Sequence, residues 1–236
     1  TWFLDVGGRR LVLRMQPPGE LLPSAHALDR ECRVLRALEA SEVPVPRVLS
    51  YSEDRSIVGT PFYLMERIEG RIFHRAALDG VDPRRRREMY RSAARTLAHL
   101  HAVDWEAAGL SDFGKHSDYF GRQVRRWTRQ WEASRQREIP ELDRLIAWLP
   151  SHVPEQRETV ICHGDYRFGN LLFAPSSPEV AGVLDWELST LGDPLSDLGY
   201  LCMYYHTSEE HDGVADVDRS ALGIPSQDEL VADYNH

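Results

Sequence analysis

The stretch HGDYRFGN at residues 163–170, followed by LDWE at 184–187, decides the fold and carries the chemistry. Asp165 and Asn170 are separated by a short loop, and Asp185 ends the apolar strand that returns beside Asn170. A hairpin of this size brings Asn170 and Asp185 close together. Amide and carboxylate oxygens are hard ligands that suit Mg²⁺, which completes its shell with water and substrate phosphates. The sequence therefore predicts a magnesium site at this loop.

Apolar strands and helices surround this motif. Leu171–Phe173 and Val180–Leu184 are predicted to be the strands of a hairpin, with Pro175–Pro178 as the turn between them. We expect one helix at about Asp193–Tyr204 and another at Gln227–Tyr234, with an acidic, loop-like stretch between them. The carboxyl-terminal part of the chain therefore combines short strands with helices.

The first 70 residues have the pattern of a small α+β unit. Two apolar runs flank Gly7-Gly8, which predicts a β-hairpin because glycine supplies the positive φ that tight turns need. Leucines at helical spacing predict a helix over Ser24–Ala40, with the serine as its cap. Strands are expected at Val48–Ser52 and Pro61–Arg67.

Glu31 lies on the apolar face of that first helix, between Leu28 and Leu35. An unpaired buried carboxylate is costly, so a cation should lie opposite Glu31 if the side chain is buried. A glutamate at the edge of the apolar stripe reaches water instead. The pattern alone leaves both interpretations open.

Longer helices are predicted in the middle of the chain. Residues 82–101 begin with Asp-Pro, a typical helix start, and continue with an apolar stripe at helical spacing. We interpret the run Arg84–Arg87 as a solvated helix face rather than a phosphate or nucleic-acid site. Residues 117–149 predict two more helices that meet near Pro140, and we expect their aromatic residues, Trp127 among them, in the core.

Composition excludes several classes of protein. The chain has 236 residues, 42% of them hydrophobic, and a net charge of −9, which argues against broad binding to nucleic acid or anionic lipid. No apolar run approaches the ~20 residues that a membrane span needs. Three widely spaced cysteines without a CxxC pair favour a reducing cytoplasm. We therefore predict a cytoplasmic protein with no nucleic-acid or membrane partner, whose chain begins inside its first sheet.

The pattern H-G-D-x-x-x-x-N followed by D-W-E resembles that of the aminoglycoside phosphotransferase and choline kinase-like enzymes. Phe62–Gly70 is similar to the last small-lobe strand and hinge of that family, and Gly192–Leu198 to the helix that supports its catalytic loop. Leu11–Leu38 looks closest to the kinase-like domain of some acyl-CoA dehydrogenases. The resemblance implies a two-lobed, protein-kinase-like α+β fold, with a small lobe at 1–66 and a larger, mainly helical lobe at 67–236.

The resemblance also implies roles for the residues of the motif. Asp165 would orient the acceptor hydroxyl and take its proton, while Asn170 and Asp185 would hold Mg²⁺ against the phosphates of ATP. His163 would shape the catalytic loop through hydrogen bonds. Asp197 would accept the backbone N–H groups of that loop.

Four residues of the small lobe and the hinge would bind the nucleotide. Arg14 stands where the family usually has a phosphate-binding lysine, and it keeps the positive charge with a different geometry. Glu31 would be its ion-pair partner. Backbone groups of Glu66 and Ile68 would hydrogen-bond adenine. The glycine-rich phosphate cover that the family places before the first hairpin does not occur in this sequence.

The implied reaction is transfer of the γ-phosphoryl group of ATP to a hydroxyl of a small molecule. Gly164 replaces the arginine that protein kinases use to read a phosphorylated segment, and the stretch from Asp185 to Asp197 is too short to dock a peptide. The acceptor is thus an aminoglycoside-like compound, a hydroxyacyl thioester or another metabolite. A non-catalytic nucleotide-binding module is the alternative. A metal-dependent hydrolase using His163, Asp165 and Asp185 is a third reading, which lacks additional histidine ligands.

Overall fold

The computed structural model of the chain describes residues 1–16 and 28–235. The strands are β1 (Trp2–Val6), β2 (Arg9–Met15), β3 (Val48–Ser52), β4 (Phe62–Glu66), β5 (Arg71–Ile72), β6 (Val160–Cys162), β7 (Leu171–Phe173), β8 (Val180–Val183) and β9 (Thr190–Gly192). The α-helices are α1 (Leu28–Leu38), α2 (Arg55–Val58), α3 (Pro83–His101), α4 (Tyr119–Ser134), α5 (Pro140–Trp148), α6 (Leu195–Cys202), α7 (Arg219–Leu222) and α8 (Gln227–Tyr234).

The amino-terminal strands form one antiparallel sheet in the order β1-β2-β4-β3. The predicted hairpin is confirmed: Val6 pairs with Arg9 across Gly7 and Gly8, whose φ values are 58° and 78°. Two successive residues with positive φ give a turn whose twist matches that of the strands. The predicted strands at 48–52 and 61–67 are also confirmed, the second as β4.

Helix α1 packs on this sheet and against the turn that follows Asp185. Its apolar face is buried, and Glu31 is buried with it at 1% exposure, so the interpretation that places this side chain at a solvated edge is wrong. The predicted cap at Ser24 lies outside the described residues. The burial of Glu31 requires a cation partner, which the site supplies.

Helix α3 forms the centre of the larger lobe and contacts β6, β8 and α8. Asp82 caps it by accepting the amides of Arg84 and Arg85 at 3.1 and 3.0 Å, as the sequence predicts. The prediction of a wholly solvated arginine run is wrong at Arg86, which is 5% exposed. Its guanidinium donates to the backbone carbonyls of Leu78 and Val81, in the turn before α3, and of Leu222, at the end of α7. Arg86 therefore ties loops to the helix.

Helices α4 and α5 confirm the predicted break near Pro140, which is the first residue of α5. The prediction that their aromatic residues fill the core is wrong at Trp127, which is 48% exposed. Within α4 only Tyr119, in the first turn, is buried. The apolar stripe of α4 therefore lies near the surface instead of in the main core.

Two small sheets hold the motif loop. Strands β5, β7 and β8 form one of them, and β6 pairs with β9 in the other. The chain leaves β6 at Cys162, passes through a 3₁₀ turn at Phe168–Asn170 and enters β7 directly. The three cysteines are free and buried. In the described part of the chain, no helix is both long and apolar enough to cross a membrane.

Candidate active site

The loop between β6 and β7 brings Asp165 and Asn170 into direct contact. The Asn170 amide nitrogen donates to the backbone carbonyl of Asp165 at 2.9 Å and to its carboxylate at 2.8 Å. Arg167 donates its Nε to the same carboxylate oxygen at 3.1 Å. Two donors therefore fix the Asp165 carboxylate, and both come from within its own loop.

His163 and Asp197 hold this loop in place. The His163 Nδ1 accepts the Asp165 amide at 3.2 Å, so its Nε2 carries the proton and donates to the Leu184 carbonyl at 2.9 Å. Asp197 accepts the amides of His163 and Gly164 at 2.6 and 2.9 Å. Burial lowers the pKa of His163, although Asp197 opposes that shift. These contacts are those predicted for His163 and Asp197.

Gly164 is required by the backbone of this loop. Its φ is +84°, a conformation that residues with a side chain rarely adopt. A Cβ at this position would lie 2.7 Å from the Leu188 carbonyl oxygen. The loop therefore packs directly against the turn that follows Asp185.

Arg14 connects the sheet to Asp185. Its guanidinium lies 3.3 Å from Glu31 and 3.1 Å from the Asp185 carboxylate. The Tyr63 hydroxyl donates to Glu31 at 2.9 Å. Burial raises the pKa of Glu31 despite the nearby Arg14 charge. Burial also opposes the charge of Arg14, but Glu31, Tyr63 and Asp185 together raise the pKa of Arg14 above its ordinary value.

Asp185 follows β8 in a strained conformation, with φ at 66°. Such a conformation costs a non-glycine residue about 1–3 kcal/mol and persists where surrounding contacts require it. The Leu184 amide donates to the Asn170 carbonyl at 2.9 Å, so the backbone next to Asp185 is tied to Asn170. The predicted hairpin therefore brings together the two segments that carry the proposed metal ligands.

The donor set fits Mg²⁺. Asn170 uses its amide nitrogen within the loop, which leaves its side-chain oxygen as the acceptor, and Asp185 adds a carboxylate that is 39% exposed. Among the described residues, no three His, Cys, Asp or Glu side chains cluster in a way that would hold a metal. A site with few protein ligands suits Mg²⁺, which retains water and phosphate oxygens.

A cavity of about 690 Å³ lies between the sheet and the motif. Its walls include the apolar side chains of Val12, Met65, Leu172 and Val183. It is also lined by six of the seven predicted site residues, namely Arg14, Glu31, Glu66, Ile68, Asn170 and Asp185. The seventh, Asp165, does not line this cavity but contacts Asn170, which does. A cavity with apolar walls and a small number of polar and charged groups is the form expected of a small-molecule site.

The two predicted adenine-binding residues differ in their backbone groups. The Glu66 amide donates to the Arg47 carbonyl at 3.0 Å, so it is not available to a ligand. The Ile68 amide donates no hydrogen bond to any described residue. Of the two amides, that of Ile68 is therefore the one without an acceptor among the described residues, and Ile68 lines the cavity.

Two residues near Asp165 were assigned no role from the sequence. Arg167 forms the ion pair described above. Tyr200, on α6, lies close to the same carboxylate, and burial together with Asp165 raises the pKa of Tyr200 to about 12. The position of Arg167 two residues after Asp165 is visible in the motif, whereas Tyr200 comes from a distant element with no recognisable signal.

The family model described as the phosphotransferase enzyme family matches residues 1–230. The chain belongs to this family. It is 47% identical to mouse acyl-CoA dehydrogenase family member 10 over 237 residues, which cover 99% of this chain and 22% of the relative. The present chain therefore spans less than a quarter of the length of that relative. The predicted likeness to the kinase-like domain of acyl-CoA dehydrogenases is confirmed.

Solved structures agree with this assignment. A candidate aminoglycoside phosphotransferase from Ralstonia eutropha superimposes with a TM-score of 0.89 at 42% identity, over 99% of this chain and 69% of that one. An aminoglycoside-3′-phosphotransferase of type VIII gives a TM-score of 0.67 at 24% identity, over 99% and 80% of the two chains. The predicted two-lobed, kinase-like α+β fold is confirmed, and the family is one of small-molecule kinases.

Proposed function

We propose that the chain transfers the γ-phosphoryl group of ATP to a hydroxyl group of a small molecule. The observation that carries this proposal is the position of Arg14, which contacts Glu31 and Asp185 at one end of an apolar cavity. A cation held between two lobes in this way suits the phosphates of a nucleotide whose base occupies the apolar part. Two neighbours of the same fold were solved with GDP and with ATP and streptomycin.

The residues of the motif would then act as follows. Asp165, fixed by Asn170 and Arg167, accepts the proton of the acceptor hydroxyl. Arg14 offsets the charge of the phosphates. Asn170 and Asp185 would hold Mg²⁺, which supplies further charge neutralisation between the phosphate oxygens.

Residues 1–66 would form the nucleotide-binding lobe and residues 67–236 the catalytic and acceptor lobe. In this arrangement the Ile68 amide donates to the adenine ring. The Glu66 amide already donates to the Arg47 carbonyl, so a different backbone group of Glu66 would contact adenine. The proposed reaction uses ATP, Mg²⁺ and a small-molecule acceptor, and it involves neither nucleic acid nor a membrane. The free, buried cysteines agree with a cytoplasmic location.

The acceptor has two candidate classes. Neighbours of the same fold include structures with kanamycin and streptomycin, which favours an aminoglycoside-like compound. The mouse relative is named an acyl-CoA dehydrogenase family member, which favours a hydroxyacyl thioester. Identity is 47% to the mouse relative and 16% to the two substrate complexes, but 42% to the Ralstonia candidate aminoglycoside phosphotransferase, so both classes belong in the acceptor panel.

The test is an assay of ADP release with the chain, Mg-ATP and a panel of hydroxylated compounds. Acceptor-dependent release that falls by about 10²–10⁴-fold in Asp165→Asn is expected, because this change removes a proton acceptor but preserves shape. ATP binding should be unchanged in the variant. Tight ATP binding without turnover on any acceptor would instead support a non-catalytic nucleotide-binding module.

A further inference from the structure

A second cavity, of about 780 Å³, lies beside the turn that follows Asp185. It is enclosed by α4, by the segment 113–118 and by residues 187–190. Six cationic side chains line it against two carboxylates, those of Asp118 and Glu187, although the whole chain has a net charge of −9. The cations are Arg30, Lys115, Arg122, Arg125, Arg126 and Arg129. We call this set the basic cavity.

Most of these cations lack a carboxylate partner. Arg125 pairs with Asp118 at 2.5 Å, but in the described part of the chain no carboxylate lies within ion-pair distance of Lys115, Arg126 or Arg129. Clustered like charges repel one another and destabilise the folded state unless a counter-charge is supplied. The cavity therefore has an excess of positive charge that a bound anion would neutralise.

Arg122 lines the basic cavity with a guanidinium that is partly buried in the wall. Its Nη1 is buried and has no hydrogen-bond partner, while its Nη2 donates to the Lys115 carbonyl at 3.0 Å. A buried guanidinium donor without an acceptor is expensive, and such groups usually have an explanation. Its Cζ lies 5.9 Å from the centroid of the Tyr119 ring, so the ring provides part of the surroundings of this charge.

The basic cavity adjoins the proposed phosphoryl-transfer site. Arg30 donates to the carbonyls of Phe113 and Ser189 at 2.6 and 3.4 Å, so it joins α1 to the cavity wall next to Glu31. Glu187 lines the cavity and also lies 3.7 Å from Arg14. Glu187 therefore lies between the basic cavity and Arg14, which lines the first cavity.

We propose that the basic cavity binds the anionic, phosphate-bearing part of the acceptor. This proposal rests on the proposed function and deepens it, because it names the charge of the second substrate. A cavity of this volume holds a group the size of a small ligand. Forked guanidinium groups suit phosphate oxygens, and a lining with this net positive charge repels a polycation such as an aminoglycoside.

Binding of inorganic pyrophosphate tests the cavity without any turnover. The nucleotide cavity is first saturated with a non-hydrolysable ATP analogue and Mg²⁺, and pyrophosphate is then titrated by calorimetry. The double variant R126Q/R129Q should raise the Kd by about tenfold or more, because two charge-assisted contacts are lost. The control R137Q/R144Q removes the same charge from exposed positions outside the basic cavity and should leave the Kd within about twofold.

Two results would overturn the proposal. One is an equal Kd for both double variants, and the other is no pyrophosphate binding when the nucleotide cavity is filled. The ADP-release assay separates this failure from that of the proposed function. If polycationic acceptors are phosphorylated, and equally well by R126Q/R129Q, the proposal of an anionic acceptor is wrong but the proposed kinase activity stands. If the chain does not bind ATP, the proposed kinase activity is wrong, and the pyrophosphate titration still tests whether the basic cavity binds an anion.

Discussion

The His163 imidazole uses both of its nitrogens inside the protein. It accepts the Asp165 amide and donates to the Leu184 carbonyl, and the ring is fully buried. A second proton on the ring would replace an acceptor with a donor that faces another donor. Geometry and burial therefore agree on a neutral His163, which holds the loop at 163–170 in place through these two hydrogen bonds.

A pH-dependent stability follows from this neutral state. The ordinary pKa of histidine is about 6.5, and burial lowers the pKa of His163 in the folded chain. Below pH 6.5 the unfolded state therefore binds more protons than the folded state. The His163 contribution to stability is complete above pH 6.5 and declines as the pH falls toward the lowered value, by at most about 1.4 kcal/mol per pH unit.

Urea unfolding at pH 7.5, 6.5 and 5.5 measures this dependence. His163→Gln should reduce the loss of unfolding free energy between pH 6.5 and 5.5 relative to the unchanged chain. His152→Gln, at an exposed position, should retain the full loss. Parallel curves for the His163 variant and the unchanged chain would show that this imidazole does not titrate on unfolding.

Single residues also show what sequence could and could not predict. The pairing of Arg14 with Glu31 was predicted from the resemblance to the family, whereas the apolar stripe alone left Glu31 either buried beside a cation or exposed at the edge of the stripe. The burial of Arg86 could not be predicted, since one of its acceptors, Leu222, lies 136 positions away in the chain. A local pattern records which residues are charged but not which distant carbonyls meet them.

At the scale of elements, the catalytic loop is anchored by helices from the rest of the large lobe. Asp197 on α6 accepts two loop amides, and His101 at the end of α3 lies 3.4 Å from the same carboxylate. The other His101 nitrogen contacts the Tyr234 hydroxyl of α8 at 2.8 Å. Three helices thus converge on the loop that positions Asp165.

Asp197→Asn should weaken this anchor while preserving its shape. One of the two amide hydrogen bonds loses its carboxylate acceptor, so the unfolding free energy should fall by about 1–3 kcal/mol. The kcat should also fall, because Asp165 is less well positioned, whereas the KM for ATP should change little. Unfolding and steady-state kinetics measure the two effects.

Asp228→Asn is the matched control, because it makes the same change at an exposed position on α8. It should change the unfolding free energy by no more than about 0.5 kcal/mol and should leave kcat unchanged. An Asp197 variant with normal kcat would show that the loop holds its position without this anchor.

Elements with strong local sequence signals were predictable, whereas the placement of elements that depends on packing against distant segments was not. The Asp82 cap, the proline at the start of α5 and the Gly7-Gly8 turn each have a local cause, and each is confirmed. The placement of α4 depends on which neighbours pack against it. Trp127 is therefore exposed although its spacing is that of a buried face.

At the scale of the whole molecule, the net charge does not describe the sites. The chain is acidic overall, yet the basic cavity has six cations drawn from α1, α4 and the segment between α3 and α4. The motif at 163–170 predicted the family, whereas the charge of the basic cavity depends on residues that meet only in the folded chain. The motif is therefore visible in the sequence, and the basic cavity is visible only in the structure.

Binding of a nucleotide in the first cavity should raise the unfolding free energy of the chain. A ligand that binds only the folded chain raises the unfolding free energy by about 2.7 kcal/mol at 100 times its Kd. With the non-hydrolysable ATP analogue, we expect a stabilisation that increases when Mg²⁺ is added, because Asn170 and Asp185 face the cavity. Thermal unfolding with the analogue, in EDTA and in Mg²⁺, measures the metal-dependent increment.

Asp185→Asn separates the metal contribution from that of the nucleotide. Arg14 keeps its contact with Glu31 in this variant, so the small lobe should remain folded and bind the analogue in EDTA. The increment from Mg²⁺ should be largely lost, because a neutral amide is a weaker ligand than a carboxylate. Asp143→Asn, which changes a surface carboxylate paired with Arg135, should retain the increment. An equal increment in both variants would place the metal away from Asp185 and contradict the proposed role of this carboxylate as a metal ligand.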